Sequence, residues 1–288
     1  MDSVKGYFDY NIPNQCISSD FERTAKRLCE FGYCTIAINQ TIDESALEES
    51  ITEGKKKKKI DKGDIVPPPI YPKAIKGYET LKILNRLTIA FTNPDIINRI
   101  IKSPNFKKYD IIAAQPESQQ AFQFTCTSFE ADIFSFNPST KPNYRLQRKL
   151  YYLLIERGAY FELMYGPAIE DSTKRKNILA TAHMYHSFGK SRNIIISSGI
   201  TNSLLLRSPY DVTNLGLLFG LTDGQAKDAV LNNGRNVYIH GVGRRLGKTI
   251  LLFESLTNEE YSVDNQRGED EEMELDQPAL KKSKQYST

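Results

Sequence analysis

Long hydrophobic runs are missing from this 288-residue sequence, and without a stretch of about 18 apolar residues no segment can span a bilayer as a helix. Tryptophan is absent. The first residues, Met1 to Gly6, lack the basic-then-apolar order of a secretory signal, so the expected location is the cytoplasm or nucleus. Cysteine is scarce. Cys16, Cys29, Cys34 and Cys126 show no C-x-x-C spacing and no pair of histidines to complete a zinc module, and four thiols at these intervals are read as reduced. What the chain does contain is 40% apolar and 25% charged residues, enough to bury a sizeable core and to exclude disorder throughout.

The net charge of +3 conceals an asymmetry. Residues 257–288 carry 9 acidic and 4 basic side chains, which leaves 34 basic against 26 acidic in the first 256. A basic body with an acidic tail points to a polyanionic partner.

Eight short β-rich runs alternate with amphipathic segments: 7–12, 34–39, 83–91, 110–114, 131–136, 159–165, 193–198 and 236–240. Most are continuously apolar, the pattern of strands covered on both faces. Between them, Phe21, Ala25 and Leu28 mark one face of a helix from Asp20 to Phe31 that Gly32 stops. Ser208-Pro209-Tyr210-Asp211 and Thr222-Asp223-Gly224-Gln225 read as helix caps, the first helix ending at Gly220 and the second at Asn232-Asn233-Gly234. Eight strands alternating with helices predict an α/β fold, a closed (β/α)8 TIM-like barrel over residues 1–256, with a doubly wound open sheet as the alternative. Residues 40–82, with Lys55, Lys56, Lys57, Lys58, Lys59 and then Pro67 to Pro69, exceed a normal connection and are expected as a loop insertion. Residues 257–288 are expected to be a disordered tail.

Catalytic constellations are thin. His183 and His186 form H-x-x-H within a helix, but barrel helices lie outside and no third ligand is near in sequence. Ser197 and Ser198 end a strand without the G-x-S-x-G elbow a hydrolase nucleophile needs. Gly241, Gly243, Gly247, Lys248 and Thr249 imitate a phosphate loop, yet Val242 stands where its first glycine belongs, and the stretch reads as a flexible basic turn whose Arg244, Arg245 and Lys248 could touch phosphate as point charges. Arg86 and Glu162 each interrupt an apolar strand, so they either pair inside the barrel or form a rim site for anions. Basic clusters recur at Lys107-Lys108, Arg145 to Lys149, Lys174-Arg175-Lys176, Arg192, Arg207 and Arg244-Arg245, with Tyr144, Tyr151 and Tyr210 near enough to stack on bases. Asp9, Glu162 and His240 are the ligands a rival reading, a metal-dependent phosphoesterase, would use. A scaffold that touches protein alone is a third reading.

The block Arg207-Ser208-Pro209-Tyr210-Asp211-Val212-Thr213-Asn214-Leu215-Gly216-Leu217-Leu218-Phe219-Gly220-Leu221 closely resembles a signature of the thirty-kilodalton protein subunit of eukaryotic ribonuclease P and its relative ribonuclease MRP. Gly32-Tyr33 with Ala37-Ile38-Asn39, the run Ile83 to Ile89, Phe161 to Tyr165 with Ala168 to Arg175, and Asn193 to Ser198 agree in order and spacing. The resemblance implies a barrel of the polymerase-and-histidinol-phosphatase type, assembled on a catalytic RNA that removes 5′ leaders from precursor tRNA. Where those phosphoesterases carry an H-x-H metal motif, this chain has Asp9-Tyr10-Asn11, so no catalytic residue and no protein-bound metal are expected, with magnesium held by the RNA instead. The family likeness further implies contacts to ribonuclease P or MRP RNA, to precursor tRNA within the holoenzyme, and to other subunits including a small RNA-recognition-like protein. Arg86, Lys174, Arg175 and Arg207 match its blocks and, with Lys55 to Lys59, Arg244 and Arg245, are the expected RNA contacts. Lys55 to Lys59 and the Lys281, Lys282, Lys284 cluster also fit nuclear import signals, consistent with nuclear and nucleolar residence.

Overall fold

A computed structural model describes residues 6–44, 64–72 and 81–247, with the backbone course alone for 16–20. Seven strands, β1 (Tyr7–Pro13), β2 (Tyr33–Asp43), β3 (Lys82–Phe91), β4 (Ile111–Pro116), β5 (Ile133–Phe134), β6 (Tyr160–Met164) and β7 (Ile194–Ser197), form one parallel sheet in sequence order. The sheet curls until its two edges meet. At that seam β1 is bulged between Asp9 and Ile12, and Asn11 O accepts from Gly199 N and Ser198 Oγ, both at 2.9 Å, while Asp9 Oδ1 accepts from Ser198 N at 3.0 Å. The barrel is nearly closed by these loop and side-chain bonds, with no strand ladder joining β7 to β1.

Nine helices are described: α1 (Asn14–Glu30), α2 (Pro94–Ile101), α3 (Gln119–Thr127), α4 (Arg148–Glu156), α5 (Tyr165–Glu170), α6 (Ser172–Gly189), α7 (Pro209–Leu218), α8 (Asp223–Val230) and α9 (Asn232–Leu246). Local chemistry sets their ends. Ser208 Oγ accepts from Asp211 N at the start of α7, and Thr222 and Gln225 form a reciprocal capping box on α8. Gly32 and Gly220 follow their helices with φ of +88° and +83°, a conformation that costs other residues a Cβ clash.

The eighth expected strand, 236–240, is helical. Its five residues lie inside α9, where Gly234, Val237, Gly241 and Val242 are the buried positions, a spacing of three to four rather than two. An apolar run this short does not declare its period, and its register became legible only with the glycines flanking it. The same helix overturns two neighbouring readings: Asn233 and Gly234 do not end α8, and Gly241 and Gly243 are not a flexible turn.

Helix α9 covers the N-terminal end of the barrel. Val237 packs with Phe8, Tyr10, Leu84, Ile111, Ile133, Tyr160 and Ile195. Tyr10 donates its hydroxyl to Gly234 O at 2.5 Å, and Lys82 at the start of β3 donates to Tyr238 Oη at 2.8 Å. A Cβ on Gly234 would lie 2.6 Å from the Phe8 ring, and one on Gly241 2.6 Å from Asp110 O, so glycine is what allows the helix to sit this close.

The expected insertion 40–82 is partly resolved into structure. Residues through Asp43 extend β2, and 64–72 pack on the outside of the barrel with Val66 buried against Ile97, Ile100, Phe106 and Tyr109. The Pro67 and Pro68 carbonyls serve as acceptors: Tyr109 Oη donates to Pro67 O at 3.0 Å and Gln40 Nε2 to Pro68 O at 3.1 Å. Lys55 to Lys59 and the 257–288 tail lie outside the described residues. Among the described residues, no helix is long and apolar enough to cross a membrane.

Candidate nucleic-acid interface

Arg86 and Glu162 meet inside the barrel. Arg86 sits mid-way along β3 and Glu162 mid-way along β6; both side chains are fully buried, and the guanidinium bonds the carboxylate in bidentate fashion at 2.5 and 2.7 Å. Two further donors are also committed, Nε to Thr88 Oγ1 at 3.1 Å and Nη1 to Tyr10 O at 3.0 Å. Glu162 accepts in addition from Ser135 Oγ at 2.6 Å, Ser197 Oγ at 2.5 Å and Asn11 Nδ2 at 3.2 Å. Asn39 continues the chain to Asn11 Oδ1 at 2.9 Å and accepts from Thr88 Oγ1 at 2.7 Å. Burial by itself would push the Glu162 carboxyl up, but the charge and hydrogen bonds of Arg86, with Ser135 and Ser197, outweigh it and hold the group below the ordinary glutamate range. A buried ion pair persists only when its hydrogen bonds are satisfied in this way. Arg86 therefore has no surface from which to reach RNA.

The residues of the rival metal reading do not converge. Asp9 Oδ1 accepts from Asn11 N and Ser198 N at the seam, with burial pushing its carboxyl up. His240 lies at the opposite end of the barrel on α9, Nδ1 on Asp132 Oδ1 at 2.7 Å and Nε2 on Arg157 O at 3.0 Å. An acceptor beside each ring nitrogen favours the protonated imidazole, and the hydrogen bond to Asp132 raises its pKa above the usual histidine value. His183 and His186 are exposed on α6, His186 beside Ser191 Oγ at 3.3 Å. A metal at Glu162 would have to displace Arg86, and among the described residues no three His, Cys, Asp or Glu side chains are grouped to hold one. Ser197 and Ser198 are spent on Glu162 and the seam.

The expected RNA contacts divide by how much of each cation is already used. Arg244 donates Nε to both oxygens of the buried Asp132 at 3.1 and 3.0 Å and Nη2 to Asp110 O, so it staples α9 to the strand ends rather than offering itself to phosphate. Arg245 pairs with Asp110 at 2.7 Å. Arg207 spends Nη1 on Leu204 O and Leu206 O, and its backbone is gripped by Tyr33 and Tyr165 hydroxyls. Arg175 is exposed and caps the end of α5 through Ala168 O and Ile169 O, beside Lys174, which lies 3.6 Å from Glu170. Of the tyrosines expected to stack on bases, Tyr151 is fully buried against Phe161 at 4.0 Å between ring centroids, Tyr144 stacks on Phe122, and Tyr210 is exposed. Sequence reading missed Asp132, the carboxylate that organises the α9 end, because nothing marks a buried aspartate just before a strand. It also missed Tyr152, which the i, i+4 spacing from Arg148 could have indicated.

Residues 6–246 match the family model described as RNase P subunit p30. The chain belongs to that family. Its similarity extends to the mouse ribonuclease P protein subunit p30, 36% identical over 215 residues that cover 74% of this chain and 78% of the mouse protein. The ribonuclease P/MRP protein subunit RPP1 of Saccharomyces cerevisiae is 26% identical over 224 residues, 74% of this chain and 72% of the yeast protein. Among solved structures, a chain of an archaeal ribonuclease P with mature tRNA superposes with a TM-score of 0.55 at 13% identity, covering 87% of this chain and 97% of that one, which shows a shared fold. The signature block of this family member spans the whole of α7, from its N-cap Ser208 to the Gly220 turn that follows it, and its Arg86 and Glu162 blocks contribute the interior pair.

Proposed function

We propose that the chain is a non-catalytic subunit that binds the RNA of ribonuclease P, and of ribonuclease MRP, and supports removal of 5′ leaders from precursor tRNA. The observation that carries this reading is the saturation of Glu162: a buried carboxylate with a bidentate guanidinium and three further donors has no lone pair for a metal or for a proton in transit. The basic surplus of the first 256 residues supplies what a polyphosphate needs, cations that lower repulsion among its strands. Magnesium on the RNA supplies the chemistry of strand cleavage. Lys174, Arg175 and Arg207, partly exposed, and the lysines at 55–59 are the family-matched and loop cations assigned to RNA, while other protein subunits, among them a small RNA-recognition-like one, share the particle in the nucleus and nucleolus.

Titrating the purified chain onto in vitro transcribed ribonuclease P RNA at several salt concentrations tests this. Binding is expected to weaken steeply as salt rises, through counterion release. Affinity independent of salt would overturn the RNA-binding reading, and stoichiometric bound metal with phosphodiesterase turnover in the absence of RNA would establish the phosphoesterase instead.

A further inference from the structure

Two arginines on the outer face of the barrel contrast with those just described. Arg148, the first residue of α4, and Arg192, in the turn between α6 and β7, are both exposed, and both guanidinia lie over the ring of Tyr152, at 5.6 and 6.0 Å from its centroid. Neither guanidinium has a hydrogen bond or an ion pair among the described residues, whereas the donors of Arg86, Arg244 and Arg245 are directed at carboxylates. Two like charges thus share one aromatic ring, with no anion bonded to either among the described residues. The ring contact leaves the guanidinium N–H groups without protein acceptors among the described residues, and those N–H groups are what bond phosphate oxygens.

The turn that presents Arg192 is strained. Lys190, Ser191 and Asn193 have φ of 53°, 56° and 54°, and they are the non-glycine residues with positive φ among those described. L-residues avoid that region, and such outliers persist where the surroundings over-determine them. The surroundings are visible. Tyr151, next to Tyr152, points inward and donates its hydroxyl to Arg192 O at 2.7 Å, and a Cβ on Gly189 would fall within 1.8 Å of the Tyr151 ring. Gln225 at the start of α8 donates to Lys190 O at 2.9 Å. Consecutive tyrosines on α4 therefore divide the work, Tyr151 fixing the backbone of Arg192 and Tyr152 fixing its side chain. Arg145 and Lys149 add exposed positive charge around them.

We propose that Arg148, Tyr152 and Arg192 form a preorganised phosphate clamp for the backbone of a folded RNA. The clamp rests on the RNA-binding reading above and assigns it a surface that the family blocks do not include. Preorganisation matters because an arginine already immobilised by a ring loses less side-chain freedom on binding than a free lysine does. An acidic protein segment is the competing occupant, and the test separates it.

The full chain, the double variant R148Q/R192Q and the conservative R148K/R192K are each titrated onto in vitro transcribed ribonuclease P RNA across a salt series. Because neither guanidinium has a hydrogen bond or ion pair among the described residues, melting temperatures are expected to match, and R192Q alone serves if the double variant melts early. Loss of two phosphate contacts is expected to lower affinity at least about tenfold near physiological salt and to flatten the slope of log K against log salt by about 1.4 to 1.8, with the lysine variant keeping most of the slope. Wild-type affinity and slope in R148Q/R192Q would overturn the clamp and leave the RNA-binding reading standing. Absence of salt-dependent binding by the wild-type chain would overturn both. If R148Q/R192Q binds RNA normally but no longer co-purifies with the other protein subunits, the surface docks protein, and the clamp is overturned.

Discussion

Truncating Arg86 to alanine strands Glu162 as an uncompensated buried charge, and loss of about 3–5 kcal/mol is expected from that alone. Replacing both residues by apolar ones of similar volume, as in R86M/E162L, should cost much less, because no charge is left behind. Urea denaturation of R86M, E162L and R86M/E162L measures the coupling, and additive costs would show that the pair is not a unit. At the other end of the barrel, the folded-state pKa of His240 is raised above its ordinary 6.5 by Asp132. A histidine raised in this way contributes stability in full below about pH 6.5 and loses it as pH rises through the folded value. Stability from this group should therefore fall from pH 6 towards pH 8, and H240N should remove that part of the slope, as read by denaturation midpoints at several pH values. Arg86 and Glu162 were legible in the sequence as charges breaking apolar strands, since burying them unpaired would be prohibitive. Their partners were not. Asn11, Asn39, Thr88, Ser135 and Ser197 are ordinary polar residues until the strands bring them within bonding distance.

Elements with a strong local signature were readable: the caps at Ser208 and Thr222, the stop at Gly32, and the seven apolar runs that became strands. Helix α9 was not, because a five-residue run with three apolar side chains, Val237, Tyr238 and Ile239, fits either period and the deciding contacts, Gly234 on Phe8 and Gly241 on Asp110, come from distant parts of the chain. The same contacts make a sharp experiment. G234A and G241A each place a methyl group about 2.6 Å from an atom of the barrel and should lower the melting temperature by several degrees. G224A, in α8 with nothing within 4 Å of the added carbon, should be neutral or raise stability by roughly 0.5–1 kcal/mol through reduced freedom of the unfolded chain. Equal melting of all three would mean that α9 does not bear on the barrel as described.

Across the whole molecule, charge is sorted by use. Asp132, Asp110 and Glu162 consume Arg244, Arg245 and Arg86 to tie helices and strands together, while among the described residues Arg145, Arg148, Lys149, Arg175 and Arg192 are exposed, where phosphate can reach them. Composition revealed the surplus but not the sorting, since a cluster such as Arg244-Arg245 reads the same whether it faces solvent or a buried aspartate. Under the proposed function this sorting has a direct consequence for activity: the protein would hold RNA and leave the cutting to the RNA. The decisive measurement is leader release from precursor tRNA by the purified chain alone, by the ribonuclease P RNA assembled with its protein subunits, and by that assembly lacking this chain, all in magnesium. The expected result is no cleavage by the chain alone, full cleavage by the complete assembly and reduced cleavage when the chain is left out. Cleavage by the isolated chain that disappears in E162Q, or full activity of the assembly without it, would contradict the account.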